Sequence, residues 1–125
     1  TVNAWVASHG LVVPVQTEYF ALEGLAMLAG TVREVRNLFT ASLGVDGILL
    51  TMHNERTLLN VQVANELRDT YGPLIVEPAV RRNIRLAEAP AHGVPIHLHD
   101  PSSHGGSDYL SVTLELERRW GLTPT

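Results

Sequence analysis

Two uninterrupted apolar runs, Leu11–Val15 and Ile48–Leu50, each lead through a polar turn into a stretch of helical periodicity. A strand that is apolar at every position, rather than at alternate ones, has cover on both faces. The pattern predicts a strand over His9–Val15 and a long helix over Glu18–Phe39, with Leu22, Leu25, Leu28, Val32, Val35, Leu38 and Phe39 at helical spacing. A second strand is expected over Gly44–Met52 and a second helix over Leu58–Tyr71, its apolar face formed by Leu58, Leu59, Val61, Val63, Ala64 and Leu67. Gly72–Pro73 stops that helix, and Leu74–Val76 reads as a third strand. Strands alternating with helices of this length build a parallel sheet, because parallel neighbours need a crossover long enough to hold a helix. The fold class expected is therefore α/β, a partial parallel sheet flanked by helices.

Pro90, Pro95 and Pro101 make Arg81–Ser107 read as irregular, and a closing helix is expected over Ser107–Trp120, capped by Ser107 or Asp108. The chain opens on Thr1–Ala7 with a helix already under way and no initiating Met. A parallel sheet of three strands has poorly covered edges. Residues 1–125 are accordingly expected to be a single segment of a larger α/β domain.

Composition removes several kinds of chemistry. All nine basic residues are Arg and there is no Cys, which excludes lysine general bases, Schiff bases, thiolate metal sites and cysteine nucleophiles. No apolar run approaches the ~18–20 residues of a membrane span, and no signal-peptide pattern opens the chain. Thirteen acidic residues against nine basic give a net charge of −4, which leaves room only for a local arginine patch on a nucleic acid. His97, His99, Asp100 and His104 lie within eight residues, and two imidazoles with a carboxylate suit Zn²⁺. In an extended chain His97 and His99 would point to opposite faces, so no metal site is expected. Ser8–His9 and Ser103–His104 are adjacent in sequence, and no G-x-S-x-G elbow accompanies them.

Three collinear segments carry a resemblance. Val13–Pro14–Val15–Gln16–Thr17–Glu18–Tyr19–Phe20–Ala21–Leu22–Glu23–Gly24–Leu25 comes first. Gly47–Ile48–Leu49–Leu50–Thr51–Met52 follows, with Glu55–Arg56–Thr57 behind it. Arg82–Asn83–Ile84–Arg85–Leu86–Ala87–Glu88–Ala89–Pro90–Ala91–His92–Gly93 is the third, with Asp100–Pro101, Gly105 and Tyr109–Leu110 beyond it. In this order they resemble the ParA/Soj family of deviant-Walker partition ATPases and, more loosely, its MinD-like relatives. The resemblance covers nearly the whole chain, but only the C-terminal half of the family's domain. It implies the C-terminal part of a P-loop NTPase-like three-layer fold. The family's glycine-rich, two-lysine phosphate loop and its magnesium-serving aspartate are not in these residues.

The resemblance implies chromosome or plasmid partitioning by an ATP-dependent dimer, with ATP and Mg²⁺ in the complete protein and none expected for this chain alone. It implies a second ParA-like copy, a ParB-like protein and non-specific DNA as partners, and a cytoplasmic, nucleoid-associated location. Thr51, Met52, Arg82 and Asn83 match positions flanking the nucleotide base, where open α/β sheets take ligands. Arg56 and Arg85 match positions associated with DNA, and Arg118 and Arg119 are candidates to extend that patch. Read as charge alone, Arg56 would pair with Glu55 and Arg85 with Glu88. Arg81 stands where the family usually has proline, and Val94 where it usually has lysine. No catalytic residue is assigned, and the chain alone is not expected to hydrolyse ATP. The alternative is a non-enzymatic, truncated ParA-like module that binds partner chains or DNA without turnover.

Overall fold

In the computed structural model, which describes residues 1–40 and 42–122, three strands form a parallel sheet. The strands are β1 (Leu11–Gln16), β2 (Val45–Thr51) and β3 (Ile75–Val76), in the spatial order β1–β2–β3. The helices are α1 (Val2–Ala7), α2 (Ala21–Leu38), α3 (Leu58–Tyr71), α4 (Ile84–Glu88), α5 (Ile96–His99) and α6 (His104–Arg119). The expected class, an α/β parallel sheet flanked by helices, is the one observed.

The side chains of β2 divide between two cores, which is why its sequence is apolar throughout. Ile48 and Leu50 pack with Leu25 of α2 and Val63, Ala64 and Leu67 of α3. Leu49 faces the other way and packs with Val76, Val80 and Val112 of α6. The α2/α3 face buries eight hydrophobic residues and the α6 face four, so most of the burial free energy, about 2 kcal/mol per full-sized side chain, lies under α2 and α3. β1 lies at a sheet edge among the described residues, and Pro14, which lacks an N–H, is tolerated there.

Four expectations need correction. Leu38 and Phe39 close the α2 pattern but are 73% and 62% exposed, because the helix's last turn reaches beyond the strands it covers. Leu58 and Leu59 are likewise exposed in the first turn of α3, which begins past the end of β2. The segment read as irregular holds α4, a 3₁₀ turn over Ala89–His92 and α5, all too short to show a helical period. Finally, α6 begins at His104, not Ser107. Ser103 Oγ accepts a hydrogen bond from the Gly106 N–H at 3.0 Å, as an N-cap does. Asp108 lies inside the helix and is turned inward, buried against Arg81.

Gly47 in β2 sits where its neighbours leave no room. A Cβ built there would lie 2.6 Å from Val76 Cγ2. The crowding comes from a side chain on the adjacent strand, not from an approaching backbone.

Candidate functional site

The carboxyl ends of β2 and β3 continue into a short, hydrogen-bonded platform. The Val80 N–H donates to Leu50 O at 2.7 Å, the His53 N–H to Val80 O at 3.0 Å, and the Arg82 N–H to His53 O at 2.9 Å. His53 and Arg81 thereby form a parallel bridge beyond the regular strands. Between them and the end of β2, Met52 adopts φ 51°, a left-handed conformation that a bulky side chain rarely takes. Such backbone costs roughly 1–3 kcal/mol and is found where surrounding structure enforces it, often at ligand sites. Met52 is 41% exposed.

A polar cleft of about 340 Å³ opens over this platform. Its walls are the turn His53–Arg56, the pair Arg81–Arg82, and His104 at the start of α6. The turn is built by asparagines. Asn54 Oδ1 accepts from the Arg56 N–H at 3.0 Å, and Asn60 Oδ1 accepts from the Asn54 N–H at 3.1 Å. A larger groove of about 850 Å³ lies beside β1, but Val13, Tyr19, Phe20 and Leu59 make it mostly apolar.

Arg81 anchors one wall. Its main-chain N–H and Nε both donate to Asp108 Oδ2 at 3.0 Å, and Nη2 donates to Oδ1 at 2.9 Å. Burial works against the Asp108 carboxylate, but the Arg81 side-chain and main-chain hydrogen bonds outweigh it and hold its pKa below the ordinary value. The fork-on-carboxylate geometry fixes Arg81, which leaves the neighbouring Arg82 free to face solvent.

His53 is buried beneath the cleft, and Nδ1 lies 3.0 Å from Thr17 Oγ1. Burial, and then the charge of Arg68, hold its pKa below 6.5. The imidazole is therefore neutral at neutral pH, and the unfolded chain takes up a proton more readily than the folded one. The expected result is a loss of folding stability as pH falls through 6.5 toward the folded value, with no further loss from this group below it. Urea unfolding of the wild type and His53→Phe across that window checks this. A parallel pH dependence in both would remove the assignment.

The structure brings only part of the sequence-derived site together. Arg82 and Arg56 line the same cleft. Thr51, half-buried, ends β2 opposite Gln16, and Met52 leads directly into the cleft turn. Asn83 Oδ1 serves as the N-cap of α4, accepting the Arg85 N–H at 2.9 Å, and its amide N–H₂ has no partner among the described residues.

Arg85 does not face the cleft group. It donates to Glu88 at 2.9 Å and lies 3.5 Å from Asp100, so the pairing with Glu88 expected from charge alone is present. Among the described residues Arg56 makes no ion pair, and the pairing with Glu55 is not formed. Arg119 is not available for a patch. It donates to the carbonyls of Asp46, Leu74 and Ile75 at 3.3, 3.2 and 2.9 Å, tying α6 to the opposite end of the sheet. Arg118 is exposed but bonded to Glu115 at 2.6 and 2.9 Å.

His97 and His99 lie on the single turn of α5 rather than in extended chain, and His99 Nε2 is 3.1 Å from Glu88 Oε2. Among the described residues no three His, Asp or Glu side chains are grouped to hold a metal ion. No described helix is long and apolar enough to cross a membrane.

Sequence reasoning missed His53, Asn54, Arg81 and His104 as cleft residues. His53 carried a usable signal, since it directly follows Thr51–Met52 at the ligand-binding end of a parallel strand. Arg81 and His104 did not, because Arg81 is placed by Asp108, 27 residues away, and nothing local brings the start of α6 to the end of β2.

No protein-family model matches the chain. The sporulation initiation inhibitor protein Soj of Bacillus subtilis is 45% identical over 116 residues, which is 93% of this chain and 46% of that protein. The chromosome-partitioning ATPase Soj of Thermus thermophilus is 45% identical over 119 residues, 95% of this chain and 48% of its own length. The chromosome partitioning protein ParA of Caulobacter vibrioides is 39% identical over 119 residues, covering 95% of this chain and 45% of that protein. The chain thus spans about half the length of the curated relatives it matches. In structure it is similar to an ATP complex of a Cyanothece McdA variant, with TM-score 0.76 at 13% identity over 97% of this chain and 46% of that one. It is also similar to cobyrinic acid a,c-diamide synthase of Mycobacterium smegmatis with a bound ATP analogue and magnesium, with TM-score 0.67 at 22% identity over 95% of this chain and 41% of that one. These likenesses show the fold.

Proposed function

We propose, from the homology of this chain to the Soj/ParA chromosome-partitioning proteins, that it is the C-terminal segment of a ParA-like ATPase for chromosome or plasmid partitioning. The observation that carries the proposal is 45% identity over 93–95% of the chain, combined with a polar cleft at the carboxyl end of the sheet. In this reading Thr51, Met52, Arg82 and Asn83 flank the nucleotide base. Arg82 supplies a flat guanidinium for stacking, Met52 an apolar wall, and Asn83 its amide N–H₂.

The chain's own residues do not fit the triphosphate and Mg²⁺. They include no lysine, and no carboxylate cluster forms among the described residues. In this reading phosphate grip, magnesium ligands and hydrolysis come from the part of the relatives' length that this chain does not span. The complete protein would form an ATP-dependent dimer, bind the nucleoid without sequence preference and answer to a ParB-like partner. The test is ATP turnover by the complete coding product beside residues 1–125 alone. Turnover by both would defeat the division of labour, and turnover by neither would favour a binding module without enzymatic activity.

The arginines rank differently for DNA. Arg56 is exposed and unpaired among the described residues, whereas Arg85 shares its charge with Glu88 and Asp100. In the complete protein Arg56→Ala is expected to flatten the log–log salt dependence of DNA binding by about 0.9, the counterion release of one phosphate contact. Arg85→Ala is expected to change it less. Titrating one DNA at several salt concentrations measures both slopes, and an unchanged slope for Arg56→Ala would remove the assignment.

A further inference from the structure

The hydrogen bonds around His53 determine which of its nitrogens carries the proton. Asn60 Oδ1 already accepts the Asn54 N–H at 3.1 Å, which fixes that atom as the oxygen. Thr17 Oγ1 lies 2.9 Å from the same oxygen and must spend its one proton there. Thr17 is therefore an acceptor toward His53, and Nδ1, 3.0 Å away, must be the donor. Nε2 is then an unprotonated acceptor. It has no hydrogen-bond partner, yet no buried side-chain nitrogen or oxygen among the described residues lacks one, so Nε2 reaches the cleft that His53 lines. The Nδ1 bond to buried Thr17 holds the ring in this orientation.

We propose that His53 is a specificity-determining residue, whose Nε2 accepts a hydrogen bond from the exocyclic amine of a six-aminopurine and so selects adenine over six-oxopurine nucleotides. The proposal rests on the reading of this cleft as the nucleotide-base site. The chemistry around His53 favours a neutral donor. Arg81 is neutralised by Asp108, and the other cleft cations, Arg56 and Arg82, are exposed, so the acceptor at the buried side of the cleft is left for a neutral N–H. Nε2 is a side-chain acceptor that neither repels nor attracts charge while neutral. A six-oxo group presents an acceptor to it and is rejected.

Protonation would reverse the preference. The groups bearing on His53 are Arg68 of α3 and its partner Glu77, Glu55 and Arg56 of the turn, Arg81 and Arg82, and His104 of α6. Burial and Arg68 keep the ring neutral above 6.5. Selectivity for the amino base should therefore be flat above neutrality and decline in acid.

The test compares binding of ATP and inosine triphosphate by the complete wild-type protein and by its His53→Phe and His53→Gln variants. The wild type should prefer ATP about five- to tenfold, as one net hydrogen bond supplies. His53→Phe should erase the preference, and His53→Gln, whose amide oxygen can accept, should restore part of it. Equal affinities in the wild type, or a preference retained in the phenylalanine variant, would overturn the proposal. Failure of both triphosphates to bind the wild type would instead overturn the nucleotide reading itself, and this proposal with it. Nitrogen-15 spectra of the unsubstituted chain give a check that needs no variant. A protonated Nδ1 with a bare Nε2 is expected, and the opposite tautomer would refute the assignment.

Discussion

Gly47→Val is expected to destabilise the chain by roughly 3 kcal/mol or more, enough to remove cooperative unfolding from a marginal domain. The site is in β2, the central strand, where displacement in either direction breaks pairing with β1 or β3. The first added carbon would lie 2.6 Å from Val76 Cγ2, and Val76 is fully buried under α6. Leu116 Cδ2 at 3.5 Å and Arg119 Nη1 at 3.8 Å close the remaining directions, so the two further methyls of valine find no open side. Arg119 is also the residue that ties α6 to three strand-end carbonyls, and moving it would sacrifice those bonds. Gly47→Ala carries only the first contact and should cost about 1–2 kcal/mol. Urea denaturation followed by far-UV circular dichroism distinguishes the two. A valine variant with the wild-type midpoint would mean that β2 and β3 can separate at no cost.

What could be read from the sequence follows physical range. The extent of α3, Leu58–Tyr71, was legible because its stop is local, with Gly72 and Pro73 ending it whatever the rest of the chain does. β2 was legible because burial on both faces writes itself as an unbroken apolar run, whereas β1, equally apolar over Leu11–Val15, is an edge strand that is only partly buried, with Pro14 exposed. The cleft was only half legible. Thr51 and Met52 announce themselves by ending a parallel strand, but that Met52 is left-handed depends on the bridge between His53 and Arg81. Asn83 looked like a ligand residue, and the structure shows it capping α4. Arg119 looked like surface charge because nothing in the sequence shows that its guanidinium reaches three carbonyls from the opposite end of the sheet. Asp108 looked like a cap for the same reason: its partner lies 27 residues back in the chain.

That pair carries the second large effect. Arg81→Ala is expected to cost roughly 2–4 kcal/mol, because it strips two of three hydrogen bonds from a carboxylate that stays buried. Asp108 is 5% exposed, so water cannot replace the lost guanidinium, whereas the partly exposed Arg81 regains hydration when Asp108 is removed instead. Asp108→Asn, which keeps an acceptor and leaves the more accessible partner unpaired, should cost less, about 1–2 kcal/mol. Acidity separates the two states further. In the wild type the Asp108 pKa is depressed, so its contribution is present above about 3.8 and is lost as pH falls through the folded value. Without the guanidinium, burial is opposed only by the remaining main-chain hydrogen bond and the charge of His104, so the folded pKa of the carboxyl is higher in the variant than in the wild type. The gap between wild type and Arg81→Ala should therefore widen from about pH 3 toward about pH 7. A gap that does not change with pH would show that the pair is not what holds α6 to the cleft. Proline, the residue that the family resemblance leads one to expect at this position, would lack both the main-chain N–H and the guanidinium. Arg81→Pro would remove all three bonds at once, and it should cost at least as much as Arg81→Ala.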